Sequence, residues 1–107
     1  MDTGVTYCMA LCTSPSEAHA LELARGLVDH RLAACVQVLP IRSVYRWEGK
    51  REEEEERLIL AKTRVDLFDR LVEFVRKGHP YQVPEIVRLD IAGGLDAYLS
   101  WVGESTG

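Results

Sequence analysis

The segment Gly78–Leu89 places a histidine, a tyrosine and a glutamate close to two prolines. The prolines exclude a regular helix and favour extended geometry at the residues that precede them, His79 and Val83. A connection this stiff holds its polar groups in fixed positions, as a binding site requires. We therefore identify His79, Tyr81 and Glu85 as candidate binding residues.

A thiol and an imidazole form the sharpest pair of candidate ligands, Cys12 and His79. Cys12 ends the first predicted strand and His79 precedes the fourth, and these two strands are neighbours in a split βαβ order. The side chains could therefore approach each other at one end of the sheet. Sulfur and imidazole nitrogen suit copper or zinc, so the pair predicts a divalent metal site. The alternative is a buried cysteine and a histidine that hydrogen-bonds to the backbone.

A second constellation joins aromatic and charged residues: Tyr45, Trp47, Lys62, Tyr81 and Glu85. Beside a groove between chains, these side chains could hold a small anionic or planar ligand. In the alternative, Trp47 and Tyr81 are packing anchors and Lys62 pairs with Glu85.

The acidic run Glu52–Glu56 resembles a cluster of ligands for a hard divalent ion. Consecutive residues of a strand point to opposite sides, however, so five glutamates in a row cannot converge on one ion. The run is predicted to be a solvated hairpin tip that opposes edge-to-edge aggregation.

The remaining histidines and cysteines are predicted to be structural. His19 and His30 lie on the first predicted helix without a partner at metal spacing, and both are expected at the surface. Cys8 and Cys35 occupy apolar runs, where a free cysteine behaves as a small hydrophobic residue. Three cysteines are too few for a disulfide framework, so we expect a reducing cytoplasm.

The hydrophobic pattern predicts four strands and three helices in the order β-α-β-β-α-β-α. The strands are Val5–Thr13, Ala33–Leu39 continued by Ile41–Trp47, Glu54–Thr63 and Glu85–Ile91, and the helices span about 14–30, 66–77 and 95–102. This order is that of the ferredoxin-like βαββαβ fold with an added C-terminal helix, an α+β fold with an antiparallel sheet.

Two local signals refine this scheme. Ser14–Glu17 forms a capping box with proline at the first helical position, which predicts a helix start there. Pro40 interrupts the second strand, where a bulge or bend is expected.

Both faces of the predicted sheet are apolar. In the first strand Tyr7, Met9 and Leu11 share one face, and Cys8 and Ala10 share the other. Two main helices can cover only one of these faces, so the other needs another chain. The sequence therefore predicts an obligate oligomer.

Composition limits the class of protein. A chain of 107 residues with 47% hydrophobic and 28% charged residues is long enough for one globular domain, residues 1–107. The net charge of −4 argues against nucleic-acid binding. We see no membrane span, signal peptide, nucleophile elbow or phosphate-binding loop, and we predict a protein that is not an enzyme.

In order and spacing, four segments resemble the CutA family of divalent cation tolerance proteins: Leu11–Glu17, Arg31–Lys50, Gly78–Leu89 and Asp96–Val102. The resemblance implies a homotrimer similar in architecture to the PII signalling proteins. It also implies that Cys12 and His79 are ligands of copper, as Cu(II), and that no cofactor is obligatory.

The position before His79 is Gly78, where some members of the family carry a second histidine. The resemblance leaves two other functions open. One is a PII-like sensor of an organic anion in clefts between subunits, and the other is a trimeric scaffold for an unknown protein.

Overall fold

A computed structural model describes residues 6–107, which form one four-stranded antiparallel sheet and three helices. The elements are β1 (Tyr7–Ser14), α1 (Glu17–Asp29), β2 (Cys35–Trp47), β3 (Lys50–Arg64), a 3₁₀ turn (Val65–Leu67), α2 (Phe68–Lys77), β4 (Ile86–Asp90) and α3 (Asp96–Glu104). The strand order β2-β3-β1-β4 confirms the predicted α+β, ferredoxin-like arrangement. The predicted strand start at Val5 lies outside the described residues.

The core lies between the sheet and helices α1 and α2. Alternate residues of the two central strands face it, and Ala10, Cys12, Ile59 and Ala61 are fully buried there. The helices contribute side chains at helical spacing, with Leu27 and Leu71 also fully buried. Period-two patterning in the strands and period-3.6 patterning in the helices thus meet in one cluster.

The opposite face of the sheet, which we call the open face, is also apolar. Its members in the central strands include Met9, Leu11, Leu58 and Leu60, none of which is fully buried. Helix α3 covers one end of this face, where Gly103 lies against the Tyr7 ring. The remainder of the open face is uncovered within residues 6–107, in agreement with the pattern of the sequence.

The N-cap of α1 lies two residues later than predicted. Ser16 is the N-cap, and its hydroxyl accepts a hydrogen bond from the His19 N–H at 3.1 Å. Ser14 instead completes β1, and its side chain is buried. The predicted Ser14 cap was therefore wrong, because pairing of Ser14 with Arg57 extends the strand to that residue.

The predicted interruption at Pro40 was also wrong. Pairing continues through Pro40 opposite Arg57, with Leu39 opposite Leu58 and Ile41 opposite Glu56. β2 is an edge strand, which needs ladder hydrogen bonds on one side only. An edge strand therefore accommodates the missing proline N–H without a bulge.

β2 and β3 form a long hairpin that extends beyond the other two strands. The two-residue turn uses Glu48 and Gly49, with φ of 51° and 79°. Positive φ at both positions is the geometry of tight hairpin turns, and glycine at the second adopts it without steric cost. Register is held from Cys35 opposite Lys62 to Trp47 opposite Lys50.

Ile59 offers a test of the core. Because its side chain is fully buried beneath the helices, Ile59→Ala is expected to lower the free energy of unfolding by about 2–5 kcal/mol. Ile59→Val is the graded control and should cost about 0.5–1.5 kcal/mol. Denaturant titrations at one protein concentration measure both, and equal stability of all three proteins would contradict this packing.

Candidate functional site

A cleft of about 730 Å³ lies between the β2–β3 hairpin and the connection from α2 to β4. Its lining comprises Thr13, Tyr45, Trp47, Glu52, Glu54, Glu56 and the run from Pro80 to Glu85. The volume falls within the range of small-molecule sites, about 300–1,000 Å³. Four of the five predicted cleft residues, Tyr45, Trp47, Tyr81 and Glu85, lie together here.

The cleft exists because β1 is shorter than the hairpin beside it. β1 ends at Ser14, opposite Arg57, whereas β3 continues back to Lys50. The α2–β4 connection lies where β1 would have continued, and it contacts the hairpin through Tyr81. The Tyr81 hydroxyl donates to Glu56 Oε2 at 2.8 Å and contacts Glu54 Oε2 at 3.5 Å.

Alternate glutamates of the acidic run face this cleft. Glu52, Glu54 and Glu56 line it, while Glu55 on the other side forms an exposed ion pair with Arg42 at 3.1 Å. Glu56 is only 4% exposed, so the prediction of a wholly solvated hairpin tip was wrong for this residue. Strand alternation was anticipated, but the loop that covers one side was not.

The pKa values of two tyrosine side chains reflect the negative potential of the cleft. Tyr45 donates to Glu54 Oε1 at 2.7 Å, and this hydrogen bond is the main cause that raises the pKa of Tyr45 to about 12. Burial, followed by the hydrogen bond to Glu56, raises the pKa of Tyr81 still further. Both hydroxyls therefore remain protonated donors at neutral pH.

Lys62, the fifth predicted member of the site, lies outside the cleft. It pairs with Cys35 and Met9 across the sheet, and its ammonium donates to the Gln37 side chain. No ion pair between Lys62 and Glu85 occurs among residues 6–107. Within one chain, the cation expected to hold an anionic ligand is therefore absent from the cleft lining.

Both ring nitrogens of His79 are bonded to backbone groups. Nε2 donates to the Thr13 carbonyl at 2.7 Å, and Nδ1 accepts from the Tyr81 N–H at 3.1 Å. These bonds hold the imidazole as its Nε2–H tautomer and join the connection to the end of β1. A metal ion at His79 would have to displace one of these partners.

Cys12 lies in the core rather than on the surface. Its side chain is fully buried, and burial, with a smaller effect of Glu85, raises the pKa of the thiol to about 12. The thiolate form that binds metals is therefore disfavoured at neutral pH. Cys12 and His79 nevertheless lie on neighbouring segments of the fold, because the His79 ring bonds to the carbonyl of Thr13, the residue after Cys12.

His19 is a neighbour of His79 that the sequence did not indicate. Its ring meets that of His79 edge to face, with centroids 5.0 Å apart. Nε2 contacts the Gly78 carbonyl at 2.7 Å and Nδ1 contacts the Ser14 hydroxyl at 2.6 Å. His19 is half-buried, and its ring ties α1 to the end of α2.

Comparison with known proteins identifies the family. The family model described as "CutA1 divalent ion tolerance protein" matches residues 8–105. The chain is 49% identical to the divalent-cation tolerance protein CutA of Thermus thermophilus over 92% of this chain and 97% of that protein. The chain belongs to the CutA1 family, which is named for ion tolerance rather than for a reaction.

Solved structures of the family share the fold. The Cut A1 structure from Thermus thermophilus has a TM-score of 0.92 at 48% identity, covering 94% of this chain and 99% of that one. CutA1 from Oryza sativa has a TM-score of 0.94 at 41% identity, covering 99% and 98%. These matches span every element that forms the cleft.

The names and lengths of relatives vary. The human protein CutA is 46% identical, but the matched region spans 91% of this chain and only 55% of that protein. The relatives from Arabidopsis thaliana and Oryza sativa are named chloroplastic, and the protein from Archaeoglobus fulgidus is named periplasmic. Within residues 6–107, none of the helices has the length and apolar character that a membrane crossing requires.

The Tyr45–Glu54 hydrogen bond predicts a pH dependence. Glu54→Gln is expected to move the tyrosinate titration of Tyr45 from about 12 toward the ordinary value of 10.0. Folding raises the pKa of both cleft phenols, so their stabilising contribution is complete below pH 10 and is lost as pH rises through about 12.

Ultraviolet absorbance of tyrosinate measures the titration, and thermal melts from about pH 9 to pH 12 measure the stability. Glu55→Gln, adjacent in the strand but on its other side, is the control and should behave as the parent protein. An unchanged titration in Glu54→Gln would show that the Tyr45 hydrogen bond does not form.

Proposed function

We propose that this protein acts in divalent cation tolerance as a homotrimer that binds a divalent metal ion. The observation that carries the proposal is the CutA1 match over residues 8–105, together with relatives named for divalent-cation tolerance. A thiolate and an imidazole suit copper or zinc, and copper, as Cu(II), is the metal that the resemblance to the family implies.

The open face supports assembly. Leu39, Val87 and Leu89 on the outer strands are 38%, 46% and 44% exposed, and they flank the apolar residues of the central strands. An apolar sheet face left in water is costly, and burial against other copies removes that cost. The number three is taken from the resemblance to the family, and the exposed surface supports only the need for partners.

Cys12 and His79 remain the proposed metal ligands, but metal binding there requires rearrangement. The Cys12 thiol must lose its proton inside the core, and His79 must release the Thr13 carbonyl or the Tyr81 N–H. We propose that release of the short α2–β4 connection supplies this change. Since the connection contacts the hairpin through Tyr81, metal binding would be coupled to the cleft.

We further propose a binding protein of the cytoplasm rather than an enzyme. Its three cysteines are free, which suits a reducing compartment. A nucleophilic role for Cys12 is opposed by a thiol pKa of about 12, because little thiolate exists at neutral pH.

Disruption of the open face tests the assembly. Leu60 pairs with Leu11 near the middle of the face, so Leu60→Lys is expected to convert a trimer into monomers. Val28→Lys is the matched control, since Val28 is also exposed and apolar but lies on α1. Sedimentation velocity gives the masses and circular dichroism checks the fold, and a parent protein that sediments as a monomer would refute the homotrimer.

Copper titration tests the ligands. Calorimetry with Cu(II) is expected to show binding by the parent protein and a loss of at least about tenfold in affinity for Cys12→Ala and for His79→Gln. Cys8→Ala and His30→Gln are the controls, because Cys8 is buried like Cys12 and His30 is an exposed histidine. Unchanged affinity in the Cys12/His79 double variant would remove both residues from the site.

A further inference from the structure

We propose that His19 is a positioning residue for His79, which holds the α2–β4 connection, residues 78–85, closed against the end of β1. In this closed state His79 is bonded to the backbone, so His19 limits how often His79 is released to a metal ion. The inference rests on the proposed metal function and adds to it the side chain that regulates the site.

Side chains, rather than backbone pairing, fasten the connection to the rest of the protein. Among residues 6–107, the backbone-to-backbone hydrogen bonds that its N–H groups donate reach only carbonyls in the last turn of α2. Three side-chain contacts reach beyond that helix: His19 with the Gly78 carbonyl, His79 with the Thr13 carbonyl, and Tyr81 with Glu56. Loss of one such contact therefore changes the stability of the closed connection directly.

His19 holds the first residue of the connection. Its Nε2 lies 2.7 Å from the Gly78 carbonyl oxygen, which can only accept, so Nε2 carries the hydrogen and donates. Nδ1 then accepts from the Ser14 hydroxyl at 2.6 Å, a shorter contact than the 3.1 Å from that hydroxyl to the Ser16 carbonyl. Because the Ser14 side chain is fully buried, the His19 ring is fixed between the end of β1 and the connection.

The His79 ring contacts two other rings. The centroid of His19 lies 5.0 Å away in an edge contact, and that of Tyr81 lies 4.7 Å away. Both neighbours restrict reorientation of the His79 ring, whose Nε2 donates to the Thr13 carbonyl. Release of His79 therefore requires movement of the connection, which His19 opposes one residue earlier at Gly78.

His19 lies on the side of the sheet that carries the helices. Ser14 follows Cys12 by two residues in β1, so both side chains point to the core side, which α1 covers. The open face, which the proposed homotrimer covers, is the opposite side of the sheet. Assembly through the open face therefore leaves the contact between His19 and the connection within one chain.

The affinity for a metal ion should follow the fraction of molecules in which the connection is open. If only the open form binds, the apparent Kd equals the Kd of the open form divided by that fraction. Removal of one hydrogen bond from the closed form should raise the open fraction by about 2- to 10-fold, which corresponds to its usual net contribution. Opening and metal affinity should therefore increase by the same factor.

Two measurements on His19→Phe test the proposal, because phenylalanine keeps an aromatic ring and removes both hydrogen bonds. Hydrogen–deuterium exchange without metal should be about 2- to 10-fold faster in peptides spanning residues 78–85, with peptides from β3 unchanged. Calorimetry with Cu(II) should show affinity that is tighter by the same factor. His19→Gln, whose amide can still donate to Gly78, should lie between the parent and His19→Phe in both measurements.

His30→Phe is the matched control. His30 also contacts a backbone carbonyl, that of Gly26 at 2.9 Å, but it lies at the other end of α1. This variant should exchange and bind copper as the parent does. If His19→Phe does not fold, His19→Ala replaces it.

Four results on His19→Phe would overturn the proposal. These are unchanged exchange of residues 78–85, equally faster exchange throughout the sheet, faster exchange with unchanged copper affinity, and weaker copper binding, which would make His19 a ligand. Absence of copper binding by the parent would instead overturn the proposed function and the regulation with it. Exchange without metal would then measure the contact of His19 with the connection alone, so the two failures are distinguishable.

Discussion

The early end of β1 is the constraint on which the candidate site depends. β3 pairs with β1 only as far as Arg57, and beyond that point the hairpin has one free side. The α2–β4 connection fills part of that space because His79 bonds to Thr13, the penultimate residue of β1. Had β1 continued, it would have occupied the position beside β3 where the α2–β4 connection now lies, and Tyr81 could not reach Glu56 from there.

The electrostatics of the cleft follow from the same geometry. A loop packed beside a strand buries whatever side chains alternate toward it, and here those side chains are glutamates. Tyrosine hydroxyls supply some of the hydrogen bonds that these carboxylates need, since Tyr45 and Tyr81 donate to Glu54 and Glu56. They supply hydrogen bonds without supplying positive charge, so the carboxylates keep a negative potential that a neutral donor cannot cancel.

The sequence predicted the fold well because periodicity and turn residues are local signals. Strand order, helix faces and the two apolar sides of the sheet followed from them, and four of the five residues predicted for the cleft line it in one chain. Within one chain Lys62 lies outside the cleft, because its register opposite Cys35 places it farther along the sheet. The contacts of His19 and the burial of Glu56 were missed for a related reason. Each depends on long-range contact with the connection at residues 78–81.

Pro40 has a consequence for how copies of this chain can meet. β2 forms one rim of the sheet, and Pro40 sits near its middle without an amide hydrogen to offer. A strand from another molecule that docked there would meet a gap in the row of donors. Growth by rim-to-rim addition, the route to open-ended fibrils, is thereby hindered at this edge of the sheet.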